Sequence, residues 1–457
     1  MTDANLTYLE QKGIRIAFET SPWPQVVNNW GAWRGVHTLY TVMGDENEIK
    51  RLFKEHPEWF PLVDGKRWLH EERPNGLAQS QLCLTNPELR KYWIEKMREA
   101  IRADRESSAK AGVPAAMYWA IDQNDAFDGF CQCEKCRAFI EREGGATSGL
   151  VLDFCNQVAE ELESEAPDAK FEMLAEHVLE KPPKTVKGRH NVTLRLCDTT
   201  SNMLYPWTDE DNAVQRNNLL AWRDYVDSIQ IWDYQITYAA AVVGLPIPTE
   251  RTFAPDIRMA RDAKGEGFFF EHEQPIHADM RDLKVWLEFK LVENPDLDPR
   301  ALVRDFTDGY YGAAAPLVRE DLAAVRRVFL ESGARLFCED KMPLKQMPES
   351  YFAESRQRLT KALDAVAGDV DLEYHVKELL FSLDFTDRER LRAAKAEKER
   401  AAAEKRVRAL RRRILFAHPD LQSVVEAAPC YVTNYYYIER PPHPFCYHFG
   451  AWYWRGY

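Results

Sequence analysis

Short apolar runs recur along the chain, and each ends in polar or charged residues. The clearest is Ala116-Met117-Tyr118-Trp119-Ala120-Ile121, which follows Gly112 and Pro114 and stops at Asp122-Gln123-Asn124-Asp125. A run of this length bounded by turn residues predicts a buried strand. Comparable runs are Ile14-Phe18, a segment around Leu39, Gln81-Leu84, Phe171-His177, Asn191-Asp198, Ser228-Tyr234 and Gly267-Glu273. Helical pieces lie between several of them. One runs from Asp45 to about His56, and another is opened by Asn86 and Pro87 and continues to about Arg105. About eight strands alternating with helices predict repeated βα units, and a (β/α)8 TIM-like barrel is the economical closure. An open doubly wound sheet is the alternative.

After Asp279 the spacing becomes helical, as in Leu322, Val325, Val328 and Phe329, which predicts a C-terminal helical region packed on the barrel. The expected organisation is a catalytic barrel over 1–295, a helical subdomain over 296–384, a long charged helix over 385–416 and an aromatic-rich tail over 417–457. The charged stretch RLRAAKAEKERAAAEKRVRALRRR interleaves Glu with its basic residues, so it reads as a solvated helix rather than a nucleic-acid patch. The tail carries too many aromatics to stay bare in water.

Composition narrows the function classes. The chain has 457 residues, 45% hydrophobic and 12% aromatic, with a net charge of -13. That balance excludes nucleic acid or an anionic membrane as the main partner, and no run is long enough to span a bilayer. The N-terminus, MTDANLTYLEQKG, lacks the basic and apolar regions of a signal peptide. With an odd count of nine cysteines, the expectation is a reducing, cytoplasmic location. Export is expected only if the N-terminus is incomplete. No nucleotide-binding glycine motif occurs.

Candidate chemistry collects at the strand ends. Asp125, Glu176, Asp233, Glu271 and Glu273 are the carboxylates, with His37, Gln123, Asn124, His177, Trp232 and Tyr234 beside them. Several carboxylates around an aromatic mouth are what cleavage of a glycosidic bond requires. One must protonate the leaving oxygen while another attacks, activates water or holds a substrate group that attacks. Each carboxylate alone reads more readily as an ion-paired or hydrogen-bonded structural group than as a catalyst, while the set at strand ends favours a site; Asp122-Asp125 reads equally as a polar turn. Cys131, Cys133 and Cys136 form a C-x-C-x-x-C cluster, a candidate structural zinc site that needs a distant fourth ligand. Reduced packing thiols or a local disulfide are the alternatives. No cofactor is expected for catalysis.

The segments HPEWFPLVDGKR, QLCLTNPELR, QNDAFDGFCQCEKC, IWDYQITY and DFTDGYYGAAAP resemble a bacterial family catalogued as a domain of unknown function and linked to glycoside hydrolase family one hundred and sixty-three. The resemblance runs in order from about Trp30 to Pro316. It implies a (β/α)8 barrel with endo-β-N-acetylglucosaminidase activity on N-glycans, by a retaining route in which the substrate's own N-acetyl oxygen attacks. Related substrate-assisted barrels keep two adjacent polar residues at the fourth strand's tip. By that likeness Asp125 is the expected acid/base and Asn124 the group that orients the amide, with Glu271 the rival acid and Asp233 its partner. His37, Gln123, Glu176, Trp232, Tyr234 and Glu273 are the expected substrate-binding residues. Family members usually carry a preceding α/β domain and an export signal, and the sequence shows neither. Competing readings are a barrel glycosidase acting on another sugar such as a uronic acid, a catalytically silent glycan-binding protein, and a zinc enzyme using the cysteines. The partner in the first two is again a carbohydrate. Oligomeric state is not legible.

Overall fold

The computed structural model describes residues 14–18, 37–69, 81–112, 114–126, 128–235, 246–272, 279–338, 344, 347–394, 396–417 and 450–455. Its strands are β1 (Ile14–Phe18), β2 (Leu62–Val63), β3 (Lys66–Arg67), β4 (Tyr118–Ala120), β5 (Lys170–Ala175), β6 (Val192–Cys197), β7 (Ser228–Gln235), β8 (Gly265–His272) and β9 (Gly450–Arg455). The helices over the same part of the chain are α1 (Glu46–Glu55), α2 (Pro87–Ala111), α3 (Glu134–Arg142), α4 (Ser148–Leu162), α5 (Ala213–Trp222) and α6 (Phe253–Asp262). As expected, Asn86 caps α2, its side chain accepting from the Glu88 and Leu89 amides at 2.9 and 3.1 Å.

Among the described residues the closed eight-stranded barrel does not form. Five parallel strands, β4 to β8, lie side by side in chain order as a half-barrel, and β9 then β1 continue the sheet antiparallel beyond β8. Two of the expected strands are not strands. Thr38–Thr41 is a helical turn; the Thr38 hydroxyl donates to the Ala120 carbonyl at 2.9 Å, and the Leu39 amide donates to the Asp122 carbonyl at 3.1 Å. The segment therefore blunts the β4 edge at isolated points instead of laddering along it. Gln81–Leu84 sends its backbone bonds to loops, Gln81 to Gly129 and Cys83 to Trp59. Leu39 and Leu82 are fully buried, so their apolar character serves the core and not a sheet. At the other edge an antiparallel strand occupies β8, so no further parallel strand can close the circle.

Alternation divides the sheet into two faces. Phe171, Met173, Leu194, Leu196, Ile229, Ile231, Phe268 and Phe270 point to the large core beneath the helices. The opposite, inner face carries a small apolar cluster of Tyr118, Leu174, Cys197, Trp232, Tyr234 and Phe269. By the same parity Glu172, Arg195, Gln230 and Glu271 belong to that face, and all four are buried. Arg195 and Glu172 form an ion pair there.

Beyond β8 the chain is helical: α7 (Arg281–Glu293), α8 (Pro299–Tyr311), α9 (Ala315–Glu331), α10 (Glu349–Ala365), α11 (Val370–Ala393) and α12 (Glu397–Ala417). The charged stretch is divided between the end of α11 and α12. Asp384, almost wholly buried on α11, accepts from Arg356 of α10 and Arg406 of α12, each Nε lying at 2.9 Å. Arg326 of α9 pairs with the buried Glu250 at 2.6 Å, and Met203 bonds backbone to backbone with Leu336 at 2.9 Å. These contacts fasten the helices to the sheet unit. Of the aromatic tail, Gly450–Arg455 enters the sheet as β9; residues 418–449 lie outside the described residues.

Candidate functional site

Parallel strands deliver the residues after their carboxyl ends to one rim, and polar groups accumulate there in open α/β sheets. Asp122-Asp125 leave β4, Glu176 and His177 leave β5, and Asp198 leaves β6. Trp232, Asp233 and Tyr234 lie near the end of β7, and Glu271 lies near the end of β8.

Glu176 is the centre of the inner-face group. Its Oε1 accepts from the Tyr234 hydroxyl at 2.9 Å and lies 3.8 Å from His177 Nε2. Its Oε2 is buried with no hydrogen-bond partner among the described residues. Burial pushes the Glu176 carboxyl up to about 7, against the lowering pull of His177 and with a further upward push from Asp125. Desolvation penalises the ionised form, so the proton is held towards neutral pH. Asp125 stands beside it, 57% exposed, with Oδ1 3.9 Å from His177 Nε2. Donor atoms of His37, Asp125 and Glu176 lie within 4.8 Å of one another, so these three could also hold a cation.

The two histidines are set by unusual backbone. His37 and His177 have φ of 63° and 51°, the left-handed region that non-glycine residues enter at a cost and that concentrates at functional sites. The His37 ring is fixed by Nδ1 at 2.8 Å from the Gln123 carbonyl. Gln81 holds the same loop. Its Nε2 donates to the Asn124 carbonyl and its Oε1 accepts from the Asn124 amide, both at 2.9 Å. Beneath them Asp122 accepts from the Leu174 amide at 2.8 Å, and burial raises its carboxyl to about 6.

Of the expected residues, His37, Gln123, Asp125, Glu176, Trp232, Tyr234 and Glu271 converge on this face. Asn124 is buried in the same loop, its backbone held by Gln81. Glu271 is fully buried and accepts from Trp232 Nε1 at 2.9 Å, a floor position rather than a reachable acid. Asp233 goes elsewhere. Parity turns it to the helix-covered face, where it bonds to Asp198. Asp198 also accepts from Ser201 Oγ at 2.5 Å and from Trp207 Nε1 at 3.2 Å, and burial raises it to about 7. Asp233 is therefore not the partner of Glu271. Glu273 lies outside the described residues. Gln81, Thr38 and Asp198 were not anticipated, because each acts through contacts with distant segments. Cys131, Cys133 and Cys136 do come together, and Cys83 joins them.

Fold and site define an α/β protein with an open, half-barrel sheet and a polar centre at the carboxyl ends of its parallel strands. The chain belongs to the family described as Domain of unknown function (DUF4838), which matches residues 2–323. No curated protein matches it. Among the described residues no helix is long and apolar enough to cross a membrane.

Proposed function

We propose that the protein is a glycoside hydrolase that cleaves a β-linked, N-acetylglucosamine-containing glycan with retention. The observation that carries the reading is Glu176, a buried carboxyl raised to about 7 beside the exposed Asp125. A carboxyl that keeps its proton near neutrality is suited to protonate a glycosidic oxygen. Glu176 therefore takes the acid/base role expected of Asp125. Its partner atoms lie within 4.8 Å, closer than the roughly 6.5–9.5 Å that an inverting pair leaves for water. In the substrate-assisted route the acetamido oxygen attacks the anomeric carbon as Glu176 protonates the leaving oxygen, while Asp125 holds the acetamido N–H. Glu176 then takes a proton from the water that opens the intermediate. The N-acetylglucosamine class is carried by the motif resemblance. A uronic acid substrate is less well served, because Arg195 on this face is already paired with Glu172.

The test is mass spectrometry of products from mixed N-glycoproteins and aryl N-acetylhexosaminides, with Glu176→Gln and Asp125→Asn run alongside. Supporting results are release of glycans bearing one reducing N-acetylglucosamine and its loss in both variants. Turnover of a different sugar, or unaltered turnover in Glu176→Gln, would sink the assignment.

A further inference from the structure

The cysteine cluster lies apart from the carboxylates and has its own geometry. Cys83 sits in the turn before α2, Cys131 in the loop that follows β4, Cys133 at the N-cap of α3 and Cys136 in its first turn. Their four Sγ atoms lie within 4.8 Å of one another. Cys83 Sγ is 3.7 Å from Cys133 Sγ and 3.9 Å from Cys136 Sγ. All four residues are free cysteines, and the separations are far beyond the roughly 2.05 Å of a disulfide. They match another bonding pattern. With zinc–sulfur bonds of about 2.3 Å, the edge of a regular ZnS₄ tetrahedron is about 3.8 Å.

We propose that Cys83, Cys131, Cys133 and Cys136 bind one structural zinc ion. The surroundings suit four thiolates around a divalent cation. The Leu62 amide donates to Cys131 Sγ at 3.3 Å, and Arg67 Nη1 lies 3.6 Å from the same sulfur. Thr85 Oγ1 lies 3.1 Å from Cys136 Sγ. Such hydrogen bonds and a nearby cation disperse the negative charge of the sulfurs, as outer-shell groups do at metal centres. The N-terminus of α3 adds its positive dipole end beside Cys133 and Cys136. Four protein ligands leave no open position, so the ion is structural rather than catalytic.

The placement gives the ion a task. It ties the Gln81–Asn86 segment to the loop that leaves β4, next to the Gln81 clamp on Asn124. A metal staple there fixes the backbone that presents Asp125, whatever chemistry the rim performs.

The test is elemental analysis of the full chain purified without chelators from zinc-supplemented cells, with mercurial titration of its thiols. The expected result is about one zinc per chain, released as four thiols are titrated, and its loss in Cys83→Ser. If Cys83→Ser fails to fold, the wild-type zinc content and thiol titration decide alone. A wild-type content under about 0.1 zinc per chain, iron in place of zinc, or four thiols that react freely in the native protein would overturn the proposal.

Discussion

Replacing Glu176 by Gln tests the electrostatics of the rim without depending on any substrate. The folded carboxyl titrates at about 7 against an ordinary 4.5, chiefly because burial disfavours its ionised form. Below 4.5 the folded and unfolded chains both hold the proton, and no penalty exists. As pH rises from 4.5 to about 7 the unfolded chain releases it while the folded chain keeps it, so stability falls. At 1.36 kcal/mol per pH unit, this gap is worth about 3 kcal/mol once the carboxyl is ionised in both states. Glutamine has the same shape and no charge, and its carbonyl can still accept from the Tyr234 hydroxyl. The variant should differ little from wild type near pH 5 and exceed it by roughly 2–3 kcal/mol near pH 8. Urea unfolding at the two pH values measures this. Glu180 and Asp198, also raised to about 7 by burial, lower the stability of both proteins together, so the difference between them isolates Glu176. Parallel stability curves with no gap opening between pH 5 and 8 would refute the reasoning.

Gln81→Ala removes both side-chain bonds to the backbone of the buried Asn124. The expected loss is about 2–4 kcal/mol in urea unfolding, and a change under about 0.5 kcal/mol would show that the clamp carries no weight. Asp384→Asn strips the buried charge shared by Arg356 and Arg406. Allowing for the part exposure of both arginines, it should cost about 2 kcal/mol and speed hydrogen exchange across α12. Unchanged exchange in Glu397–Ala417 would count against this role for the network.

Much of the strand pattern was legible because β4 to β8 are apolar runs with polar exits, which is how a strand buried on both faces reads. What the sequence could not convey was closure. The runs around Leu39 and Leu82 are as apolar as short strands, yet their hydrophobicity comes from burial in the core, and periodicity does not separate the two cases over so few residues. The convergence of Asp125, Glu176 and Tyr234 followed from strand-end logic, whereas His37 precedes a helical turn and joins them through its contact with the Gln123 carbonyl. Their roles did not, since depth of burial separates the raised carboxyl of Glu176 from the exposed Asp125, and depth belongs to the whole fold. Asp233 shows the limit of strand-end reasoning, because one step in parity sends it to the opposite face. The fourth cysteine, Cys83, is far from the other three in sequence and sits in a segment that looked like a strand.

The order of strands in the sheet also sets an order in time. β1 lies near the start of the chain, but its described partner is β9, at Gly450–Arg455. At roughly 5–20 residues per second of synthesis, β1 waits about 20–90 s for β9 to emerge. Throughout that interval β8, whose Glu271 pairs in register with Gly450, presents a bare edge of backbone donors and acceptors. Such an edge recruits any extended segment nearby. The margin that β9 seals is therefore where a nascent chain of this protein is most open to such recruitment.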